Sequence, residues 1–329
     1  MTFSPERLRL GNEEFEGDNS SYVLRGDGET ALVDTGVSTP ETRRDFVKGL
    51  EDIGVGVAEV DHVFLTHWHA DHTGLAGYVQ DRSGATVHVH EEDAPLVRQD
   101  EDAWESMYEK QRRLIDDWGI PDDKSDELLG FMEAMEPAYG DPPEVEVFGD
   151  GDRFEVAGVE LEAVAAPGHT AGLTCFAVGD TVFTGDALLP VYTPNVGGAD
   201  VRVDKPLEKY LDTLVRIGER GFARAYPGHR DTIDAPTERA HEILRHHRDR
   251  AERVVDVLRD DGPLDAWEVG ARLFGELENI HILHGPGESY AHLEHMEDAG
   301  VVSSFRDGTV RYRLEDTEAL EDALPTFSG

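Results

Sequence analysis

Three imidazoles and a carboxylate fall within the six residues His67-Trp68-His69-Ala70-Asp71-His72. In an extended stretch, residues two apart point the same way, so His67 and His69 can meet one cation. Asp71 and His72, as the chain turns towards a helix, can face a second. Neutral imidazole and carboxylate suit a borderline metal such as Zn²⁺. Packing alone is a poor account of so many donors, and a solvated polar loop is the bland alternative. Three later features extend the set: His169 in Pro167-Gly168-His169, Asp186 closing Phe183-Thr184-Gly185-Asp186, and His229 in Pro227-Gly228-His229. Each follows an apolar strand pattern, often with Gly at the turn, so all can converge on one sheet edge.

The elements that must position these donors alternate between strands and helices over the first two-thirds of the chain. Ser21–Arg25 and Thr30–Asp34 read as strands joined at Gly26-Asp27-Gly28, a hairpin signal. A helix is expected from about Pro40 to Asp52, with Ser38 and Glu41 spaced as in a capping box. Val60–Thr66 reads as a buried strand running into the His cluster, with a helix starting near Thr73, and Thr86–His90 as another strand. Short strands return between 144 and 185, followed by a helix from about Leu207 to Glu219 and a strand at Ala223–Tyr226.

Residues 91–140 differ. Trp104, Met107, Tyr108, Gln111, Leu114, Ile115 and Trp118 recur every three or four residues, which gives a helix one aromatic-rich face. This segment is expected to form a helical, lid-like insert. After about residue 235 the pattern becomes three helices, Glu238–Arg259, Leu264–Phe274 and Glu288–Ala299. A hairpin about Asp307-Gly308 follows. Three helices and a hairpin form a winged-helix pattern. A DNA reader needs a basic recognition helix, whereas Glu288–Asp298 is acidic, so a packing or dimerising module is expected.

Five motifs occur in succession: Ala31-Leu32-Val33-Asp34-Thr35-Gly36, the His67–His72 cluster, and the three turns that carry His169, Asp186 and His229. In these the sequence resembles the metallo-β-lactamase superfamily over about residues 1–235. The resemblance implies an α+β fold, an αββα sandwich, with residues 236–329 forming a winged-helix-like domain. It implies a first metal held by His67, His69 and His169, a second held by Asp71, His72 and His229, and Asp186 bridging both. Asp34 would orient a ligand from behind by hydrogen bonding. Two Zn²⁺ ions are the expected cofactors, with iron or manganese as alternatives.

The expected reaction is attack by a bridging hydroxide on a small acyl substrate: a thioester as in glyoxalase II, an ester or a lactone. Asp71 is the candidate proton relay. The C-terminal module looks like that of a subgroup containing single-strand RNA endonucleases, so phosphodiester hydrolysis is the runner-up. A mononuclear iron persulfide dioxygenase is a third reading. The diiron oxygen reductases of the superfamily carry Glu where this chain has His69, and a flavodoxin-like domain that it lacks. Tyr192, Asn195, Arg202 and Lys205 follow Asp186 and are candidates for the pocket mouth. Arg202 and Lys205 would take an anion, with salt bridges to the abundant surface acid as the alternative, and Trp104, Tyr108 and Trp118 would give apolar contacts. Cys175 and the remaining His, including His246-His247, His281, His284, His292 and His295, read as core or solvated helix surface.

Composition narrows the setting. The 329 residues carry 70 acidic and 30 basic side chains, a formal charge of −40. Counting Gly and leaving out Tyr brings the apolar share to about 47%, enough to fill a core. The acid is spread along the chain, and Lys48, Lys110, Lys124, Lys205 and Lys209 are its lysines. This pattern resembles cytosolic proteins of halophiles, since molar salt screens charge within about 3 Å. Such a field repels nucleic acid and anionic membranes at low salt. One cysteine excludes an intrachain disulfide framework and fits a reducing cytosol. No apolar run is long enough to span a membrane, and the first residues lack a secretory signal pattern. The expected partner is a small molecule, with a homodimer as the expected assembly.

Overall fold

The computed structural model describes residues 4–11 and 17–325. Strands β1 (Glu6–Leu10), β2 (Asn19–Gly26) and β3 (Glu29–Val33) pair antiparallel. Asp27 and Gly28 join β2 to β3 with φ of 53° and 88°. Positive φ at both central residues is the turn whose twist matches the flanking strands. Strands β4 (His62–Phe64), β5 (Thr86–His90) and β6 (Val145–Phe148) then add in parallel, in the order β1-β2-β3-β4-β5-β6. A second sheet holds β7 (Arg153–Val156), β8 (Val159–Ala165), β9 (Thr174–Val178), β10 (Thr181–Gly185) and β11 (Arg224–Pro227).

Period-two alternation decides which side chains lie between the sheets. Tyr22, Leu24, Ala31 and Val33 join Phe64, Phe148, Phe176 and Phe183 in one buried cluster, while Val23 and Leu32 belong to another with Leu8, Phe46 and Leu50. Each buried ring contributes roughly 1.5–3 kcal/mol. Helix Pro40–Asp52 buries Phe46 and Leu50. Its cap is Thr39, not the expected Ser38: Thr39 Oγ1 accepts from the Thr42 N–H at 3.1 Å, and Pro40 takes the position where no N–H is needed. Helix Pro206–Arg220 covers the second sheet, with Arg216 donating to the Ala165 carbonyl of β8 at 2.7 Å. Helices on both outer faces of two facing sheets make the α+β, αββα arrangement.

The 91–140 segment forms helices Ala94–Val97, Glu101–Trp118 and Asp122–Met135. The longest buries Met107, Gln111, Ile115 and Trp118. Beyond residue 235 come helices Pro236–Asp261, Ala266–Phe274 and His281–Asp298. With them is a small sheet of β12 (Leu264–Asp265), β13 (Val302–Asp307) and β14 (Thr309–Leu314), in the order β12-β14-β13. Asp265 and Glu268 cap the second helix reciprocally. The third starts at His281 rather than Glu288, because Gly285-Pro286-Gly287 continues the helix where the sequence pattern suggests a break. Tertiary contact overrides propensity there: a Cβ on Gly287 would lie 2.4 Å from Gly198 Cα, so the helix runs against the 195–200 loop. No helix among the described residues is long and apolar enough to cross a membrane. Residues 326–329, at the end of the expected C-terminal unit, lie outside the described residues.

Candidate metal centre

The seven expected donors meet at one edge of the two sheets. His67 and His69 lie beyond the end of β4, and Asp71 and His72 sit in the short helix Ala70–Thr73. His169 follows β8, Asp186 follows β10 directly and His229 follows β11. The edge is closed where the Ser20 N–H donates to the Gly228 carbonyl at 2.7 Å. Gly228 is needed for close approach: its Cβ would lie 2.5 Å from His72 Cε1 and 2.6 Å from Asp186 Oδ1.

His67 Nε2 lies 3.0 Å from His69 Nδ1, and His169 Nε2 lies 3.1 Å from the same atom. The far nitrogen of each ring already has a partner. His69 Nε2 donates to the Ala199 carbonyl at 3.0 Å and His169 Nδ1 to the Asn195 carbonyl at 2.8 Å. His67 Nδ1 faces Thr66 Oγ1 at 3.1 Å, and that hydroxyl gives its own proton to Asp34 at 2.8 Å. These partners assign the tautomers. Three lone pairs therefore converge with no proton between them. Burial lowers His67 well below its ordinary pKa, with His72 and His69 adding to the effect. Burial and His169 bring His69 down to about 4. Such a cradle fits a cation.

On the other side His72 Nε2 stands 3.8 Å from Asp71 Oδ2 and 3.5 Å from Asp186 Oδ1. His229 Nε2 is 3.4 Å from Asp71 Oδ2 and 3.5 Å from Asp186 Oδ2. Asp186 Oδ2 is also 3.8 Å from His169 Nε2, so its carboxylate lies between the two groups. His72 Nε2, His229 Nε2 and Asp186 Oδ1 are buried without a hydrogen-bond partner. Burial opposes charge on His72, yet Asp186, Asp71 and Asp34 outweigh it and raise its pKa well above the ordinary value. The same balance, led by Asp186, carries His229 to about 10. Burial favours the neutral acid at Asp186, but His229 and His72 pull its pKa well down. Orphaned donor atoms and converging lone pairs fit a pair of divalent cations.

Asp34 stands behind this centre in a left-handed conformation, φ 60°. Its carboxylate accepts from the Thr66 N–H, the Thr66 hydroxyl and His72 Nδ1, all at 2.8 Å. A buried non-glycine residue held at positive φ stores backbone strain, which clusters at functional sites.

A cavity of about 140 Å³ opens onto the donors and is lined by His69, Asp71, His169 and Asp186 at its base. Trp104 and Tyr108 line it as expected. Arg202 and Lys205 do not. Arg202 is bound by Asp93 and Asp200 at 2.7 and 2.6 Å, and Lys205 by Asp298 at 2.7 Å. The abundant surface and buried acid neutralises both. Tyr192 lies in a separate groove beside Arg239 and His246, and Asn195 acts through its carbonyl on His169. Trp118 is buried against Tyr290, ring centres 5.4 Å apart.

Other placements differ from expectation. His247 is buried rather than solvated, and packs on His292 with Glu288 beside them. The guanidinium of Arg250 already pairs with Glu288, which opposes a cation at that cluster. His284 lines the cavity, and burial holds it neutral with a pKa near 3. Thr66, Asn19 and Glu288 are among the residues around the site that sequence reading missed. Asn19 donates to Asp71 Oδ2 at 3.2 Å. A polar residue opening an otherwise buried strand was its only signal, and nothing local marks Glu288.

A model of the metallo-beta-lactamase superfamily matches residues 15–229. A probable metallo-hydrolase of Bacillus subtilis (strain 168) is 25% identical over 307 residues, covering 90% of this chain and 93% of its own. An atrochrysone carboxyl ACP thioesterase of Emericella nidulans is 26% identical over 290 residues, 86% of this chain and 72% of its own. Among solved structures, a metallo-beta-lactamase family protein from Thermus thermophilus has a TM-score of 0.82 at 31% identity, covering 94% of this chain and 98% of that one.

Proposed function

The chain belongs to the metallo-beta-lactamase superfamily, and from that premise we propose a binuclear zinc hydrolase acting on a small acyl substrate, a thioester, ester or lactone. The observation that carries this is the set of bare donor atoms: three converging lone pairs at His67, His69 and His169, beside unpartnered His72 Nε2, His229 Nε2 and Asp186 Oδ1. In this reading His67, His69 and His169 would hold one ion and Asp71, His72 and His229 the other, with Asp186 available to both. When bound, such ions polarise a carbonyl and activate water near neutral pH.

The chain's own groups do the rest. Asp34 and the backbone carbonyls of Asn195 and Ala199 fix the ring orientations. Asp71 lines the cavity, where it would relay a proton to the leaving group from the water that replaces the consumed hydroxide. The aromatic wall of Trp68, Trp104 and Tyr139 excludes bulk water from the acyl side. The thioesterase among the relatives supports the acyl reading. Residues 236–329 are then a winged-helix-like unit that completes the cavity, and the protein works in the cytosol.

The RNA reading finds less support. The wing arginines are spent on acid: Arg306 on Asp117 at 2.6 Å, Arg311 on Glu268 at 2.8 Å, Arg313 on Glu315 at 3.0 Å. A phosphate track needs several free cations. The test is elemental analysis together with a screen of thioesters, lactones and single-stranded RNA in molar KCl. Two equivalents of zinc and acyl turnover lost in Asp186→Asn are expected. One tightly held iron, or RNA cleavage without acyl turnover, overturns the proposal.

A further inference from the structure

Two segments far apart in sequence wall the cavity above the donors, beside residues 68–71, 198–199 and 201. Trp104, Tyr108 and Met132 come from the helical insert; Ile280 and Leu283 come from the start of the third C-terminal helix. Trp68, Trp104 and Tyr139 pack as a box: Trp68 meets Trp104 edge-on at 5.5 Å and lies parallel to Tyr139 at 6.1 Å. Met107, Met132 and Met135 fill the gaps with flexible thioethers, which adapt to varied apolar shapes. Beyond the candidate ligands, the ionisable side chains among the described lining residues are Glu136, His284 and Tyr108 and Tyr139, and there is no Lys or Arg. The guanidinium of Arg202, outside the described lining, lies 5.7 Å from the Trp68 ring centre and is held by two aspartates.

We infer that this cavity takes the uncharged apolar acyl half of the substrate, one aromatic ring or a chain of roughly six to eight carbons. The inference rests on the acyl-hydrolase reading of the site. Size sets the length: an apolar cavity of about 150 Å³ accommodates benzene, and this one measures about 140 Å³. Charge sets the class. A carboxylate or phosphate at the far end of the acyl chain, away from the carbonyl and the candidate metal centre, would meet no Lys or Arg on the described lining and would lie beside Glu136 in a protein of charge −40. Burying an unpaired charge is costly. Any charge on the substrate belongs on the leaving group, outside the apolar wall.

The experiment has two readouts. The first is kcat/KM of the zinc-loaded protein for ester and thioester series from acetyl to dodecanoyl, with succinyl as the acid-tailed control. Each added methylene should raise kcat/KM by about fourfold until the cavity is full near octanoyl, and succinyl should fall well below butanoyl. The second, independent of turnover, is calorimetric binding to the metal-free protein of neutral alkyl amides against amides whose chains end in a carboxylate. The neutral amides should bind more tightly as the chain lengthens, and the carboxylate-ended ones weakly. Met132→Trp should shift both optima to shorter chains, and Leu283→Phe gives the same shift from the opposite wall. Turnover with a flat chain profile, or a preference for succinyl, overturns this inference and leaves the acyl hydrolase standing. Chain-dependent amide binding without turnover of any acyl compound overturns the hydrolase reading and leaves the cavity's preference standing. Failure of both binding and turnover overturns both.

Discussion

Glu288 and Asn195 are joined by a hydrogen bond from the Asn195 side-chain amide to Glu288 Oε2 at 3.2 Å. The carbonyl of the same Asn195 takes the Nδ1 proton of His169 at 2.8 Å. Glu288 also accepts from the Val196 N–H at 3.0 Å and pairs with Arg250. A residue of the third C-terminal helix thus holds the loop that orients a candidate metal ligand.

Removing that carboxylate should cost more than a surface charge does. Glu288 is only 3% exposed, and breaking a buried ion pair from one side costs about 3–5 kcal/mol. Glu288→Ala should lower stability by that order in denaturant titration and loosen metal at the His169 side. Glu288→Gln keeps an acceptor for Val196 and should retain more of both. Equal, small losses in the two variants would contradict the role given to this contact.

Asp34→Asn tests the support behind His72. Asn tolerates the left-handed backbone but carries no charge and one acceptor oxygen fewer. Outer partners of metal ligands contribute about 10- to 100-fold in metal affinity. A drop of that size is expected in competition with a chelator, with helix content by circular dichroism unchanged. Unaltered affinity would remove Asp34 from the centre.

Metal binding should release protons. In the metal-free protein His72 is raised well above its ordinary pKa and His229 to about 10, because carboxylates surround both. Both are protonated at pH 7, so a cation displaces them. Affinity should climb with pH up to about 10, by about tenfold per proton per pH unit. Calorimetry in two buffers of different ionisation enthalpy should show about two protons released from His72 and His229 per pair of ions, and a third where the bound water ionises.

The stability of the metal-free chain runs the other way. A His raised above its unfolded value of about 6.5 contributes fully below that pH and loses its contribution as pH rises towards the folded pKa. Chelated protein should therefore be more stable at pH 6.5 than at pH 9.5, by thermal unfolding. The reverse order would contradict the charge state assigned to His72 and His229.

Salt should act on the whole molecule. A charge of −40 opposes compaction unless it is screened, and the Debye length shrinks from about 10 Å at 0.1 M to about 3 Å at 1 M. Unfolding temperature should rise steeply from 0.1 to 2 M KCl. A flat profile would leave an ordinary acidic protein in place of a halophilic one.

The sequence by itself pointed to a candidate donor set and to the strands that present it. His67, His69, Asp71, His72, His169, Asp186 and His229 were legible because their signals are local: alternation along a strand, then a turn with glycine, then a polar side chain at the strand's end. Helix Pro40–Asp52 and the β13–β14 hairpin were legible for the same reason. Tertiary structure alone decided what surrounds those donors. The sequence left Arg202 open between an anion contact and a salt bridge to acid, and the fold decides for the second, because Asp93 comes to it from 109 residues away. The cavity's far wall and the hold on His169 come from the helix His281–Asp298, which Glu288 joins to Asn195 across 93 residues. No short-range pattern encodes such pairings. They depend on how whole faces of helix and sheet pack, and that packing turned an exposed cation into a buried ion pair and an acidic helix into a support for the site.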